Sequence, residues 1–178
     1  MEFETKIGVS KKVILVNIVD PEETIVIPDT ISLIKEGAFR NCSMTKKVVI
    51  PSSVEELFPA FEGCTNLETI ILSEGVKSLR RHTFKYCKSL RYVELPESLE
   101  GRIENAFAHC VSLERIRIPA KVDHIGFDYY KNLSGFTGCI NLREVILEEG
   151  LKWIDAETFS GCESLEEIIL PETMFYIE

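Results

Sequence analysis

Apolar residues recur along this chain in short alternating runs, and the same run returns about every 23 residues. In one copy, Leu67 is followed three positions later by Ile70 and then by Leu72. The Ile-x-Leu step has the period of two and the β-branched content of a short strand with one inward face. Proline closes most of these runs, and a residue without an N–H ends a strand ladder. The pattern therefore predicts one short strand per copy, all parallel because every copy turns the same way.

A second motif, Phe-x-x-Cys, precedes each of these strands. Its copies begin 22, 23, 23, 29 and 23 residues apart, and self-similarity at such a period is typical of a stacked-repeat protein. Phe and Cys three positions apart share one face of a short helical or 3-10 turn. Each repeat is therefore predicted to run as strand, turn, short helical segment and next strand. The motif occupies Phe39/Cys42, Phe61/Cys64, Phe84/Cys87, Phe107/Cys110, Phe136/Cys139 and Phe159/Cys162.

The complete repeat reads L-x-x-I-x-I-P-x-x-V-x-x-I-x-x-x-A-F-x-x-C, and it resembles the BspA-type class of the leucine-rich repeat family. In the common leucine-rich repeat an Asn or Cys follows the strand. That residue is absent here, and a Cys stands before the next strand instead. The resemblance implies an α/β repeat fold. We expect a right-handed leucine-rich-repeat solenoid with parallel strands on one face and short helical or 3-10 turns on the other.

The first 20 residues do not repeat, and they predict a separate element. Two apolar runs at 3–7 and 13–19 flank a Gly-containing segment, which indicates a hairpin that caps the first rung. Residues 21–178 then form about six to seven rungs with an insertion at 127–135. The last rung has no comparable cap. Its exposed apolar surface is predicted to reflect truncation, a further partner or end-to-end self-association.

Charge and composition narrow the function classes. The formal net charge of −9 argues against a nucleic-acid partner, because phosphate binding needs a basic stripe. The longest apolar run, at 13–16, is far too short for a membrane span. The first 12 residues lack the apolar segment of a secretory signal. The chain as it stands is therefore predicted to be intracellular, or to be secreted or on the cell surface if a leader is missing.

The sequence carries no motif of a known catalytic centre, so we predict no enzyme and no cofactor. All six cysteines fall in the repeat motif, and we expect them to be reduced, buried packing residues. Disulfides between neighbouring rungs are the alternative, although thiols that point the same way make poor disulfide geometry. The three histidines occupy different repeat positions, which argues against a metal site.

Variable residues beside the inward strand positions are the candidates for binding. They project onto the exposed, usually concave, sheet face, where Val and Ile form an apolar band with a Tyr/Arg centre typical of a protein-binding hot spot. Glu94 and Arg117 are predicted to be neighbours, as are Tyr92, Arg115 and Glu144. The alternative is that these residues serve only β-propensity and cross-strand pairing. The candidates are Ile71, Tyr92, Glu94, Arg115, Arg117, Glu144, Ile146 and Ile169.

The insertion is a second candidate. It carries adjacent Tyr129 and Tyr130, and tyrosines supply rigid contact area at low entropic cost. The alternative is a neutral bulge whose aromatic residues pack on the adjacent rung.

The sequence as a whole predicts a non-catalytic module that binds a protein ligand. The family resemblance implies an adhesin-like surface protein that binds host or matrix proteins. An intracellular scaffold, a regulatory repeat region of a larger protein and a purely structural spacer are the competing hypotheses.

Overall fold

The computed structural model describes residues 1–40, 42–126 and 134–177, which form a stack of parallel rungs. One strand of each rung lies in a surface that we call the front face, and these strands define rungs 1 to 7. In β7, Ile70 and Leu72 are buried while Thr69 and Ile71 alternate with them, as the period of two predicts. The front-face strands are β3 (Thr24–Val26), β5 (Lys47–Ile50), β7 (Thr69–Leu72), β9 (Tyr92–Glu94), β11 (Arg115–Ile118), β13 (Glu144–Leu147) and β15 (Glu167–Ile169).

A second column of parallel strands forms the back face, so the prediction that strands occupy only one face was wrong. The apolar residue that follows the proline turn in each copy does not only fill the core. It also pairs with its equivalent in the next rung, as Leu57 does with Leu79. The back-face strands are β2 (Val13–Val19), β4 (Leu33–Ile34), β6 (Glu56–Leu57), β8 (Ser78–Leu79), β10 (Gly101–Ile103), β12 (Val122–Ile125), β14 (Trp153–Ile154) and β16 (Tyr176–Ile177).

The third side of each rung, the turn side, carries the Phe-x-x-Cys motif, and it is not helical. The predicted helical or 3-10 segments are replaced by separate turns, in which for example the Cys87 N–H donates to the Phe84 carbonyl at 3.0 Å. A helix cannot continue because, in each copy where this position is described, the residue before the Cys has a positive φ, as Gly63 and Tyr86 do at 77° and 61°. Among the described residues, the one 3-10 element is Val9–Lys11, outside the repeats.

The N-terminal strand β1 (Glu2–Ile7) pairs antiparallel with β2, and Val9–Lys11 connects the two. β2 then pairs in parallel with β4, so this hairpin extends the back face. Leu15 and Ile18 of β2 are buried in the same core as the repeats. The boundary at residue 20 and the capping role stay predictions.

A continuous stack of phenylalanine rings occupies the core beneath the turn side. Phe107 lies 5.3 Å from Phe84 and 5.4 Å from Phe136, measured between ring centroids. Both arrangements are stacked, with interplanar angles of 20° and 4°. The stack begins at Phe39 and ends at Phe159. The repeat period thus places one aromatic ring per rung at a spacing that favours offset stacking.

Each rung is counted from its back-face strand, through the turn side, to the front-face strand that follows. Both hydrogen-bonded faces are then interrupted at the same junction, between rungs 4 and 5. On the front face one sheet ends at β9 and the next begins at β11. On the back face the corresponding break separates β8 from β10. The turn side stays closed there, because the Phe84 N–H donates to the Ala106 carbonyl at 2.9 Å. The strand ladders are therefore interrupted on two sides of a junction that stays hydrogen-bonded on the turn side.

Candidate functional site

The centre of the predicted binding surface lies on the front face at the junction of rungs 4 and 5. Tyr92 and Glu94 from β9 face Arg115 and Arg117 from β11 across a cavity of about 300 Å³, and Ile146 completes its lining. Tyr92 is 48% exposed, so its ring is accessible to a partner. The structure therefore brings five of the predicted residues together at the break in the front-face sheet.

The two arginines at this cavity are held by carboxylates. Arg115 pairs with Glu144 of rung 6 at 3.1 Å, and the two are in register on neighbouring strands, as predicted. Arg117 donates from Nε to Glu148 at 2.7 Å and pairs with Glu97 at 2.6 Å. The hydrogen bond that Arg117 donates to Glu97 is the main cause that raises the pKa of Arg117, and Glu148 adds to it.

Glu94 and Arg117 line the same cavity, but the ion pairs recorded for Arg117 are with Glu97 and Glu148. These two glutamates were not predicted as site residues. Both stand just after a front-face strand. Glu97 follows the proline that closes its strand, whereas Glu148 occupies the position that the closing proline has in other copies. Following the polar residues of that turn from rung to rung would have revealed them.

A second cavity of about 390 Å³ lies on the front face of rungs 6 and 7. Glu144 and Ile146 are in register with Glu167 and Ile169, so two carboxylates and two isoleucines lie side by side. Ile169 is 73% exposed. The apolar band thus alternates with acidic positions at this end of the face.

Of the predicted residues that the structure describes, Ile71 alone lines neither cavity. Ile71 is half-buried between Val49 and Glu94 in the front-face ladder. Tyr129 and Tyr130 lie outside the described residues, and the insertion is described only at its ends. There the Gly135 N–H donates to the Gly126 carbonyl at 3.2 Å, so the chain leaves the rung and re-enters it at one point.

The six thiols are free, and they serve the stack. Each Cys after the first donates to the Phe carbonyl of the preceding rung, as Cys110 does to Phe84 at 3.1 Å. Burial raises the pKa of Cys42 and of Cys162 to about 11. Burial also raises the pKa of Cys64, to about 12. Such thiols are protonated at neutral pH, so they act as hydrogen-bond donors and are poor nucleophiles.

Outward residues of the back face form a row that the sequence analysis missed. Arg102, His124, Trp153 and Tyr176 are in register on successive strands. His124 Nε2 lies 2.8 Å from an Asp155 carboxylate oxygen. Trp153 is 43% exposed, and its ring centroid lies 5.9 Å from that of Tyr176. Aligning the residue before each buried back-face position would have revealed this row.

The part of the chain that the structure describes holds no cluster of three or more His, Cys, Asp or Glu side chains that could bind a metal ion. None of its helices has the length and apolar character needed to cross a membrane.

Comparison with known proteins places the repeat. A family model described as a BspA type leucine rich repeat region matches six copies, over residues 21–135 and 133–178. No curated protein matches the sequence.

Solved structures share the fold. A leucine rich cell surface protein from Faecalibacterium prausnitzii A2-165 has a TM-score of 0.78 at 22% identity, with 98% of this chain and 48% of that chain covered. The T. pallidum leucine rich repeat protein has a TM-score of 0.64 at 24% identity, covering 93% and 88%. A leucine-rich repeat protein from Bacteroides ovatus ATCC 8483 has a TM-score of 0.67 at 26% identity, covering 99% and 54%. This chain spans about half the length of the F. prausnitzii protein.

Proposed function

From the premise that this chain belongs to the BspA-type leucine-rich repeat family, we propose that it is a non-catalytic module that binds a protein ligand through its front face. A stacked-repeat protein offers an extended surface for recognition. The family is typically non-catalytic, and the protonated thiols supply no nucleophile.

The cavity between rungs 4 and 5 is the observation that carries this proposal. An exposed Tyr and two Arg residues surround it, and these are residue types enriched in interface hot spots. Arg115 and Arg117 are already oriented by Glu144, Glu97 and Glu148, so a ligand would lose little affinity to ordering them. The front-face ladder is also interrupted between β9 and β11, beside this cavity.

The finer proposal is an adhesin-like protein that binds host or matrix proteins. It is supported by the fold shared with a protein described as a leucine rich cell surface protein. An intracellular scaffold or a regulatory repeat region of a larger protein is the competing proposal. The two differ in where the ligand is found, so the same capture experiment can separate them.

The experiment compares three forms of the chain as immobilised bait. These are the wild type, a Tyr92→Ala/Arg115→Glu variant and a matched control, Thr24→Ala/Lys47→Glu, which makes the same kinds of change at rungs 1 and 2 of the same face. Each bait is exposed to extracellular-matrix extract and to cell lysate, after circular dichroism has verified its fold.

Proteins that bind the wild type and the control but not the central variant would support the front-face cavity. Their presence in matrix extract alone would favour adhesion, and in lysate alone a scaffold. If all three baits retain the same proteins, the front-face proposal is wrong.

End-to-end self-association through the uncapped C-terminal rung is a further proposal. Its support is the exposed apolar surface there, with Phe175 79% and Ile169 73% exposed. Sedimentation velocity over a hundredfold range of concentration tests it. A single monomeric species throughout would exclude such association in that range.

A further inference from the structure

The basic residues of this acidic chain are concentrated in one rung. Between Glu74 and Glu94 there is no acidic residue, and six of the chain's 20 Lys and Arg residues fall in that interval. By contrast, residues 140–178 carry ten acidic and two basic residues. The segment between Glu74 and Glu94 therefore carries a local charge opposite in sign to that of the whole chain.

Backbone strain marks the same segment. The residue before the Cys has a positive φ in each described copy that carries this turn, and in three of them it is glycine: Gly63, Gly138 and Gly161. In the two central copies the position holds Tyr86 and His109, at 61° and 60°. A side chain in this conformation is strained, and such strain concentrates at functional sites. The two residues that break the glycine pattern are adjacent in the stack.

Tyr86 and His109 form a stacked pair on the surface of the turn side. Their ring centroids are 4.9 Å apart at an interplanar angle of 6°, and Tyr86 is 38% exposed. In the next rung Gly138 leaves space for the imidazole, since a Cβ at that position would collide with the His109 ring. The fold therefore accommodates this pair through the glycine beside it.

Positive charge lies beside the pair. Lys85 is buried, and its Nζ lies 5.0 Å from the centre of the Tyr86 ring and 4.0 Å from a Glu62 carboxylate oxygen, so this ammonium group is engaged within the fold. Lys88, two residues after Tyr86, is exposed. Burial, Lys85 and Lys88 together lower the pKa of His109, in that order of size, which favours the neutral imidazole. The pair thus presents two aromatic rings beside the accessible ammonium group of Lys88.

The other cations of this segment already bind carboxylates of neighbouring rungs. Lys77 pairs with Glu55 at 3.2 Å, Arg80 with Glu56, and Arg81 with Glu104 at 2.5 Å. Because these cations are already neutralised, the segment offers no continuous basic stripe to a long polyanion. A short acidic segment needs only the charge beside the ring pair.

We propose that Tyr86, His109 and Lys88 form a docking site for a short Asp/Glu-rich segment of a partner protein. Carboxylates of that segment meet the Lys88 ammonium group, and its backbone and aliphatic carbons lie against the two rings. The site is on the turn side, separate from the front-face cavity, so either can fail without the other.

The experiment measures binding of the full chain to fluorescently labelled hexaglutamate and hexaglutamine peptides by anisotropy at low and physiological salt. The main variant is Tyr86→Gly/His109→Gly, which installs the residue that the neighbouring rungs use. Because glycine relieves the backbone strain, this variant should keep or raise the Tm. Lys88→Glu tests the charge alone, and Tyr92→Ala/Arg115→Glu controls for the front face.

We expect the wild type and the front-face variant to bind hexaglutamate but not hexaglutamine, and salt to weaken this binding. The double-glycine and Lys88→Glu variants should each lose at least about tenfold in affinity, which corresponds to about 1.4 kcal/mol. Unchanged affinity in the double-glycine variant would overturn the site. Absence of hexaglutamate binding at low salt would do the same. Equal or tighter binding of a heparin oligosaccharide or duplex DNA would overturn the assignment to a protein segment.

Discussion

Replacing one ring of the phenylalanine stack tests how the rungs hold together. Phe107 is fully buried and stacks on both neighbours, whereas Phe159 is only partly buried and stacks on Phe136 alone, at 5.6 Å. We predict that Phe107→Ala destabilises the protein considerably more than Phe159→Ala does, although the two changes remove the same atoms.

The magnitudes follow from the contacts. Truncating a buried Phe to Ala costs about 3–5 kcal/mol, and Phe107 belongs at the upper end because it loses two stacked partners. Each aromatic pair contributes about 0.5–1.5 kcal/mol beyond burial, so Phe159, with one pair and partial exposure, should cost about 2 kcal/mol less. A loss of about 5 kcal/mol is a large part of the 5–15 kcal/mol typical of a folded domain.

Equilibrium urea unfolding, followed by far-UV circular dichroism under reducing conditions, measures these free energies. Because each rung contacts only its neighbours, Phe107→Ala should also lower the m-value by separating the two halves of the array. Phe107→Leu is the control that keeps an apolar side chain, and it should cost much less than the alanine. If Phe107→Ala costs no more than Phe159→Ala, the ring stack does not couple the rungs.

Three further predictions test the thiols, a turn glycine and an arginine. The six thiols of the native protein should resist iodoacetamide at pH 8 and react once urea unfolds it. Burial raises the pKa of Cys64 from 9.0 to about 12. The contribution of this thiol to stability should therefore be complete below pH 9 and decline as the pH rises towards 12. Fast labelling of the native state would contradict both the predicted protection and the raised pKa. Gly75→Ala places a Cβ 2.7 Å from the Ser52 carbonyl oxygen at a φ of 114°, whereas the Cβ of Gly63→Ala meets nothing within 4 Å. Gly63→Ala should therefore cost only the backbone strain of about 1–2 kcal/mol, and Gly75→Ala should cost more in a thermal melt. Equal costs would refute the steric argument. Arg117→Met should lower the free energy of unfolding by about 1 kcal/mol or less at physiological salt, because the ion pairs of Arg117 are partly exposed. A loss above about 3 kcal/mol in urea unfolding would show that these pairs act as a buried network.

Local sequence was sufficient for the front-face strands and for the resemblance to BspA-type repeats. Ile70 and Leu72 alternate with outward residues, and a period of two has one structural meaning when it recurs at a constant interval. The turn side was different. Phe84 and Cys87 have the spacing of a helical turn, but the positive φ of Tyr86 breaks the helix, and Tyr86 carries no signal of that conformation in its own identity.

The candidate site likewise contains contacts that the sequence could predict and contacts that it could not. Arg115 and Glu144 could be paired from the repeat alone, because register follows from the repeat alignment. The partners of Arg117 could not, since Glu97 and Glu148 reach it from turns whose side-chain directions depend on how the rungs pack. The stacking of Tyr86 on His109 likewise depends on the space that Gly138 leaves.

The Phe-x-x-Cys repeat by itself determined that this chain is a stack of parallel rungs, because one apolar pattern repeated at one period can be buried only against its own copies. Tertiary structure alone decided that the back face carries a second column of paired strands and that the strand ladders of both faces are interrupted between rungs 4 and 5. It also decided which cations meet which carboxylates. The physical reason is that these features depend on distances between rungs, which the aromatic stack and the thiol–carbonyl bonds set and no single repeat encodes.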